Sequence, residues 1–191
     1  MQMSINTTFP QVMGQLSGLK GQLADKVLAR AVNRTIDLAK TAMNREIRST
    51  FNVKAAYVRD RLYVRKATHK AGRVAIEAEL TASGRYRGRR SANVIAFGAR
   101  QVGKGVSVLI KRGSKRKVIR GAFIGNKGRT VFHRVGRARL PIKPVQTIDI
   151  PQMFNTRKVN AAVVRVIHQR FPEVFRREAA FAIERFNRGG A

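Results

Sequence analysis

Three observations predict an α+β fold, with a long N-terminal helix and a kinked C-terminal helix packed on a small, mostly antiparallel β-sheet that carries a projecting basic hairpin. Apolar residues recur in steps of three and four from Val12 to Ile47 and again from Val159 to Phe186, the spacing of one helix face. Between these stretches, short runs alternate apolar and basic residues and are separated by glycine, the pattern of half-buried strands joined by tight turns. At 191 residues and 43% hydrophobic content the chain suits one domain spanning residues 1–191, with a helical N-terminal region over 1–62, a basic β region over 63–154 and a helical C-terminal region over 155–188.

In the first stretch Leu16, Leu19, Leu23, Val27, Leu28, Val32, Ile36, Ala39, Met43 and Ile47 form the stripe. Gly14, Gly18 and Gly21 interrupt it, and each costs a helix about 1 kcal/mol against alanine, so firm helix is expected from Gln22 to Thr50. Phe51-Asn52-Val53 breaks the period, and Lys54 to Leu62 reads as a short second helix. Tyr63 to Ala67 and Arg73 to Leu80 are rich in β-branched and aromatic residues, and His69-Lys70-Ala71-Gly72 joins them as a hairpin. Glu77 and Glu79 fall on one face of the second strand, where they serve as partners for nearby Arg and Lys more readily than as an acid–base pair.

From Leu80 to Ile148 the chain contains no Asp or Glu, within a protein whose formal net charge is +30. One-sign surfaces repel themselves, so this tract calls for an outside anion. Its opening segment, Ser83-Gly84-Arg85-Tyr86-Arg87-Gly88-Arg89-Arg90-Ser91, combines mobile residues, phosphate-matching guanidinium forks and a ring for stacking. Gly98 to Gly105 matches seven positions of the phosphate-binding loop G-x-x-x-x-G-K-[ST]. It lacks the hydroxyl at Gly105, and the strand-like Val106 to Ile110 follows where a helix should, so it is read as a glycine hairpin. Val106 to Lys111 and Arg116 to Ile124 then bracket the turn Arg112-Gly113-Ser114-Lys115, a basic finger carrying Arg112, Lys115, Arg116, Lys117 and Arg120. Thr130 to Val135 forms another strand, and the prolines from Arg139 to Met153 predict an extended crossing in place of a central strand. In the last helical stretch Pro172 predicts a kink or a restart with Glu173 at the new N-terminus.

Composition excludes several chemistries. With no cysteine there is no disulfide framework and no thiolate metal site, and His69, His133 and His168 share no ligand spacing. No Ser–His–acid or Cys–His constellation can be assembled, so no catalytic residue, metal, cofactor or small-molecule substrate is expected. No window approaches a membrane span, and Met1 to Pro10 does not read as an export signal.

Several short segments occur in a recognisable order: Ala31-Val32-Asn33-Arg34, Val58 to Thr68, Gly121-Ala122-Phe123-Ile124, Arg139-Leu140-Pro141-Ile142, Ile150-Pro151-Gln152-Met153 and Phe171-Pro172-Glu173. Over roughly Leu28 to Phe186 this order resembles the minor tail protein Z family, the tail completion proteins of long-tailed bacteriophages. The resemblance implies a structural virion protein, made in the host cytoplasm, that finishes the head-proximal end of the tail and helps join it to the head. The expected partners are copies of itself in a closed ring, because tail tubes have rotational symmetry, with a hexamer as the expected size, together with other tail and neck proteins such as the tail terminator, and duplex DNA. From charge composition, and not from the resemblance, Arg85, Arg87, Arg89, Arg90, Arg112, Lys115, Arg116, Lys117 and Arg120 are expected to face DNA phosphates or acidic partners. Phe123, Ile124, Leu140, Ile142, Ile150, Met153, Phe175 and Phe186 would hold subunits and neighbours. From the residues alone, a free-standing RNA- or DNA-binding protein of ribosomal or nucleoid type is the alternative, since basic loops on a small fold serve that role too.

Overall fold

The helical period of the N-terminal stretch is realised in a 30-residue helix, and the rest of the chain alternates short strands with brief helical turns before a second long helix. The computed structural model describes residues 2–4, 21–70, 73–83 and 92–189. In chain order the elements are β1 (Gln2–Ser4), α1 (Gly21–Thr50), α2 (Ala55–Arg59), β2 (Leu62–Arg65), β3 (Thr68–Lys70), β4 (Arg73–Ala75), β5 (Glu79–Ala82), β6 (Ala92–Asn93) and a 3-10 turn (Val94–Phe97). There follow β7 (Arg100–Val102), β8 (Gly105–Val108), β9 (Lys117–Arg120), β10 (Ala122–Gly125), β11 (Thr130–Arg134), β12 (Ile142–Pro144), β13 (Gln146–Thr147), α3 (Ile150–Phe154) and α4 (Arg157–Gly189). The architecture is α+β, with antiparallel pairing throughout the described ladders. The chain divides into two units, the first made of 1–43, 62–81 and 160–191, the second of 44–61 and 82–159.

In the first unit, α1 buries Val27, Leu28, Ala31, Val32, Ile36, Ala39 and Met43, the stripe expected from the sequence, and starts one residue before the predicted Gln22. The glycine-weakened residues 12–20 lie outside those described. α4 buries Val163, Ile167, Phe171, Val174, Phe175, Ala179 and Ala182. Of the kink or restart expected at Pro172 the restart does not occur; the proline sits inside one continuous helix. Proline has no N–H for the carbonyl one turn back, a cost of roughly 3 kcal/mol. Full burial of Phe171 and Phe175, each contributing about 1.5–3 kcal/mol, offsets it.

The predicted hairpin of this unit forms as two pairs. β3 faces β4 with Thr68 opposite Ala75, while β5 lies between β1 and β2 in a separate three-stranded sheet. The expected strand from Arg73 to Leu80 is therefore interrupted after Ala75, and the predicted turn residues Ala71 and Gly72 lie outside the described residues. Glu79 is 8% exposed and accepts from Arg65 Nε at 2.9 Å and from Thr81 Oγ1 at 2.7 Å, the partner role anticipated for it. Asn33 on α1 acts as a surrogate strand: its Nδ2 donates to the Ala67 carbonyl at 2.9 Å and its Oδ1 accepts the Ala67 N–H at 2.7 Å.

One residue later, Arg34 reaches the carboxylate of Glu178 at 2.7 Å, with Glu178 4% exposed and Arg34 56%. Arg34→Met should strand that carboxylate and lower stability by about 1–3 kcal/mol, the range for a buried charge losing a partner that water already screens. Urea denaturation should show most of the loss recovered in the double variant Arg34→Met/Glu178→Gln, because the charge left unpaired is then gone.

In the second unit two three-stranded sheets, β7-β8-β9 and β10-β11-β12, stand beside each other, with β10 against β7 and β8. The sequence reading ran one strand from Arg116 to Ile124. Gly121 instead takes φ +69 and ends β9, and β10 begins the second sheet. Gln101 stitches the two: its Nε2 donates to the Gly105 carbonyl at 3.0 Å and its Oε1 accepts the Ile124 N–H at 2.9 Å. The core contains Ile47, Phe51, Val58, Phe97, Val106, Val131, Ile150, Met153 and Phe154.

Asn93 repeats the device of Asn33. Its Oδ1 accepts the N–H of Val131 at 2.9 Å and of Ile95 at 3.1 Å, and its Nδ2 donates to the Val131 carbonyl at 3.0 Å. The proline-rich crossing is extended as far as Thr147, with β12 as a sheet edge placing Pro144 opposite Phe132. Beyond that the expectation fails, because Ile150 to Phe154 is helical. Asp149 and Gln152 form a reciprocal capping box, and Pro151 occupies the first turn, where its missing N–H costs nothing.

Candidate polyanion-facing surface

The second unit contains 25 of the chain's 40 Lys and Arg residues but three of its ten acids, so the uncompensated charge is concentrated there. Lys111 to Val118 are all exposed, as are Arg100, Lys104, Arg120, Lys127, Arg129, Arg134, Arg137, Arg139 and Lys143. Among the described residues the ion pairs with Glu79, Glu178 and Asp37 all belong to the first unit.

The basic finger is the loop between β8 and β9, closed by the pair Val108–Lys117. Its base is clamped to the end of α1. Asn52 N–H donates to the Ile110 carbonyl at 2.9 Å, Arg112 N–H donates to the Thr50 carbonyl at 2.9 Å, and Phe51 and Lys111 form a β-bridge. A loop held in this way keeps its shape when it meets a ligand, so less ordering entropy is lost on contact.

The expected contact residues are not equivalent. Arg112, Lys115, Lys117 and Arg120 are exposed on the finger or on β9. Arg116 is exposed as well, but its guanidinium is engaged: Nε donates to Ser107 Oγ at 3.0 Å, and Nη2 donates to the carbonyls of Gly98 at 2.7 Å and Ser107 at 3.0 Å. Its guanidinium closes the finger onto the turn before β7. Arg85, Arg87, Arg89 and Arg90 lie outside the described residues. Of the apolar residues, Ile150, Met153 and Phe175 are fully enclosed by the chain's own core. Phe123, Ile124 and Ile142 are half-buried, and Leu140 and Phe186 are exposed at 66% and 53%. Phe123 sits 6.0 Å from the Phe132 ring with the Arg134 guanidinium 5.0 Å from its centroid.

Sequence reasoning left Lys111 out of the contact set and overlooked Ser114. Together with Lys115, Lys117, Val108 and Ile110 they line a concavity of about 300 Å³ inside the finger. The signal was present in the spacing of three lysines around Gly113, although no periodic rule marks a loop that curls on itself.

The near-match to a nucleotide loop resolves as the hairpin expected. Gly103 and Lys104 form the turn between β7 and β8, and a buried strand follows where a phosphate site needs a helix N-terminus. Among the described residues no cluster of acids and histidines could hold a metal, and no helix is long and apolar enough to cross a membrane.

The family model for prophage minor tail protein Z matches residues 9–187. A search of curated proteins finds no match, and a search of solved structures finds none either. The matched span takes in α1 with Asn33 and Arg34, both three-stranded sheets of the second unit and α4 through Phe186, so the chain belongs to the prophage minor tail protein Z family, whose members are structural proteins of the phage tail.

Proposed function

We propose that this tail protein is a completion subunit at the head-proximal end of the tail, where copies of it form a closed ring, a hexamer, beside the terminator and neck proteins. The charge separation between the two units carries this reading. A subunit whose second unit holds an excess of cations with almost no acid of its own is built for a place where anions are supplied from outside. The head-proximal end offers both a DNA terminus and the rims of adjoining proteins. Exposed Leu140 and Phe186, with half-buried Phe123, Ile124 and Ile142, provide the apolar contacts to neighbours.

The decisive measurement is imaging of purified particles carrying a tagged copy, together with particles from a phage unable to make the protein. The expected result is a label at the head-proximal end and, without the protein, filled heads separate from tails. A label at the distal tip, or normal particles without the protein, would overturn the assignment. A purified chain absent from particles that binds duplex DNA with a salt slope of about −0.9 per phosphate would instead mark a free nucleic-acid binder.

A further inference from the structure

The basic finger faces two classes of anion, a phosphate backbone and an acidic protein surface, and its geometry discriminates between them. Phosphate recognition favours arginine, whose planar fork meets two oxygens at once. Arg116, at the centre of the finger, directs its Nε and Nη2 to the carbonyls of Gly98 and Ser107 and to Ser107 Oγ. The concavity is rimmed instead by Lys111, Lys115 and Lys117, point charges on flexible stems, with Ser114 between them. Its floor is apolar, formed by Val108, which is 3% exposed, and half-buried Ile110. A duplex backbone offers such a floor only the small deoxyribose carbons held in the chain between phosphates, whereas an acidic peptide segment carries carboxylates and full aliphatic side chains a few ångströms apart.

From this we infer that the finger concavity is a docking site for an acidic segment of a neighbouring protein, with one aliphatic side chain on Val108 and Ile110 and flanking carboxylates on the three lysines. Charge complementarity names the occupant. No Asp or Glu occurs from 81 to 148, so the tract that forms the finger supplies no carboxylate of its own. The clamp from Asn52 and Arg112 to the base of the finger keeps the concavity open before the partner arrives. This inference rests on the reading that the basic unit meets an outside anion, and it assigns the finger to protein and leaves DNA to the remaining cations.

The test uses the full chain at physiological ionic strength with three probes: a synthetic peptide alternating glutamate and leucine, polyglutamate of the same length, and a short DNA duplex. The expected result is that the Glu/Leu peptide binds about tenfold or more tightly than polyglutamate, the gain from one buried leucine. Ser114→Trp, at an exposed position, fills the concavity and should abolish that preference while leaving duplex affinity unchanged. Lys111→Glu/Lys115→Glu/Lys117→Glu should remove peptide binding altogether. Equal affinity for the two peptides, or a Glu/Leu preference that survives Ser114→Trp, overturns the inference, as does a duplex whose binding is lost in Ser114→Trp. These outcomes are read on the isolated protein, so they stand apart from the position of the label in particles.

Discussion

Gly105→Ala should unfold the second unit's finger and lower stability by at least about 3 kcal/mol, the sum of a left-handed backbone forced on alanine and a backbone collision. Gly105 has φ +149, and a Cβ there would overlap the Ile119 carbonyl oxygen and stand 2.9 Å from its carbon. Both atoms belong to the adjacent strand, where Gly105 pairs with Arg120, so no side-chain rotation relieves the overlap. The position that denied this loop a Mg²⁺-binding hydroxyl is thus glycine because β8 and β9 approach closely there. Thermal unfolding followed by circular dichroism should show the loss, and limited proteolysis should cut between Lys111 and Lys117. Gly103→Ala, two residues away, places its methyl where nothing lies within 4 Å, and should change stability by no more than about 0.5 kcal/mol. Equal tolerance of both substitutions would refute the close-approach argument.

Asn93→Ala is expected to cost about 2–4 kcal/mol. It leaves the N–H groups of Val131 and Ile95 without the oxygen they share; an abandoned buried donor costs roughly 1–3 kcal/mol, and half-buried Ile95 stands at the low end of that range. The Val131 carbonyl suffers less, because it also accepts from Val145 N–H at 2.8 Å. Asn93→Asp retains the shared acceptor and loses only the donor, so it should fall between the wild type and the alanine variant in denaturant midpoint. An aspartate as damaging as alanine would mean that the side chain matters for something other than those two N–H groups.

The helical faces were legible because burial enforces their spacing: of the predicted stripes Val27, Val32, Ile36, Met43, Val163, Ile167, Phe175 and Ala182 are buried, whereas Ile183 and Phe186 at the end of the second are exposed. The hairpin at Gly103-Lys104 was legible because the β-branched, apolar Val106-Ser107-Val108-Leu109-Ile110 after the glycine favours a strand over a helix. Three other features were not. Asn33 and Asn93 read as ordinary polar residues, since an amide that substitutes for a strand depends on a backbone segment distant in sequence, Ala67 in one case and Val131 in the other. At Pro172 the local cost of proline suggests a kink or a restart, and the helix continues through it with its neighbours Phe171 and Phe175 buried. For the candidate surface, the basic tract was evident from composition, yet Arg116 could not be told from Lys115 until the carbonyls of Gly98 and Ser107 were seen to claim it. Nor does hydrophobicity alone separate a core residue such as Met153 from an exposed one such as Leu140. The capping box at Asp149 and Gln152 has a readable spacing, and Pro151 fits both a first helical turn and extended backbone.

The crowding of cations into one unit bears on when copies can gather. Two chains brought together through that unit would repel each other over a Debye length of about 8 Å at physiological ionic strength. Bound anions of any kind would lower that repulsion, so the salt content of the medium should govern how closely isolated chains approach one another.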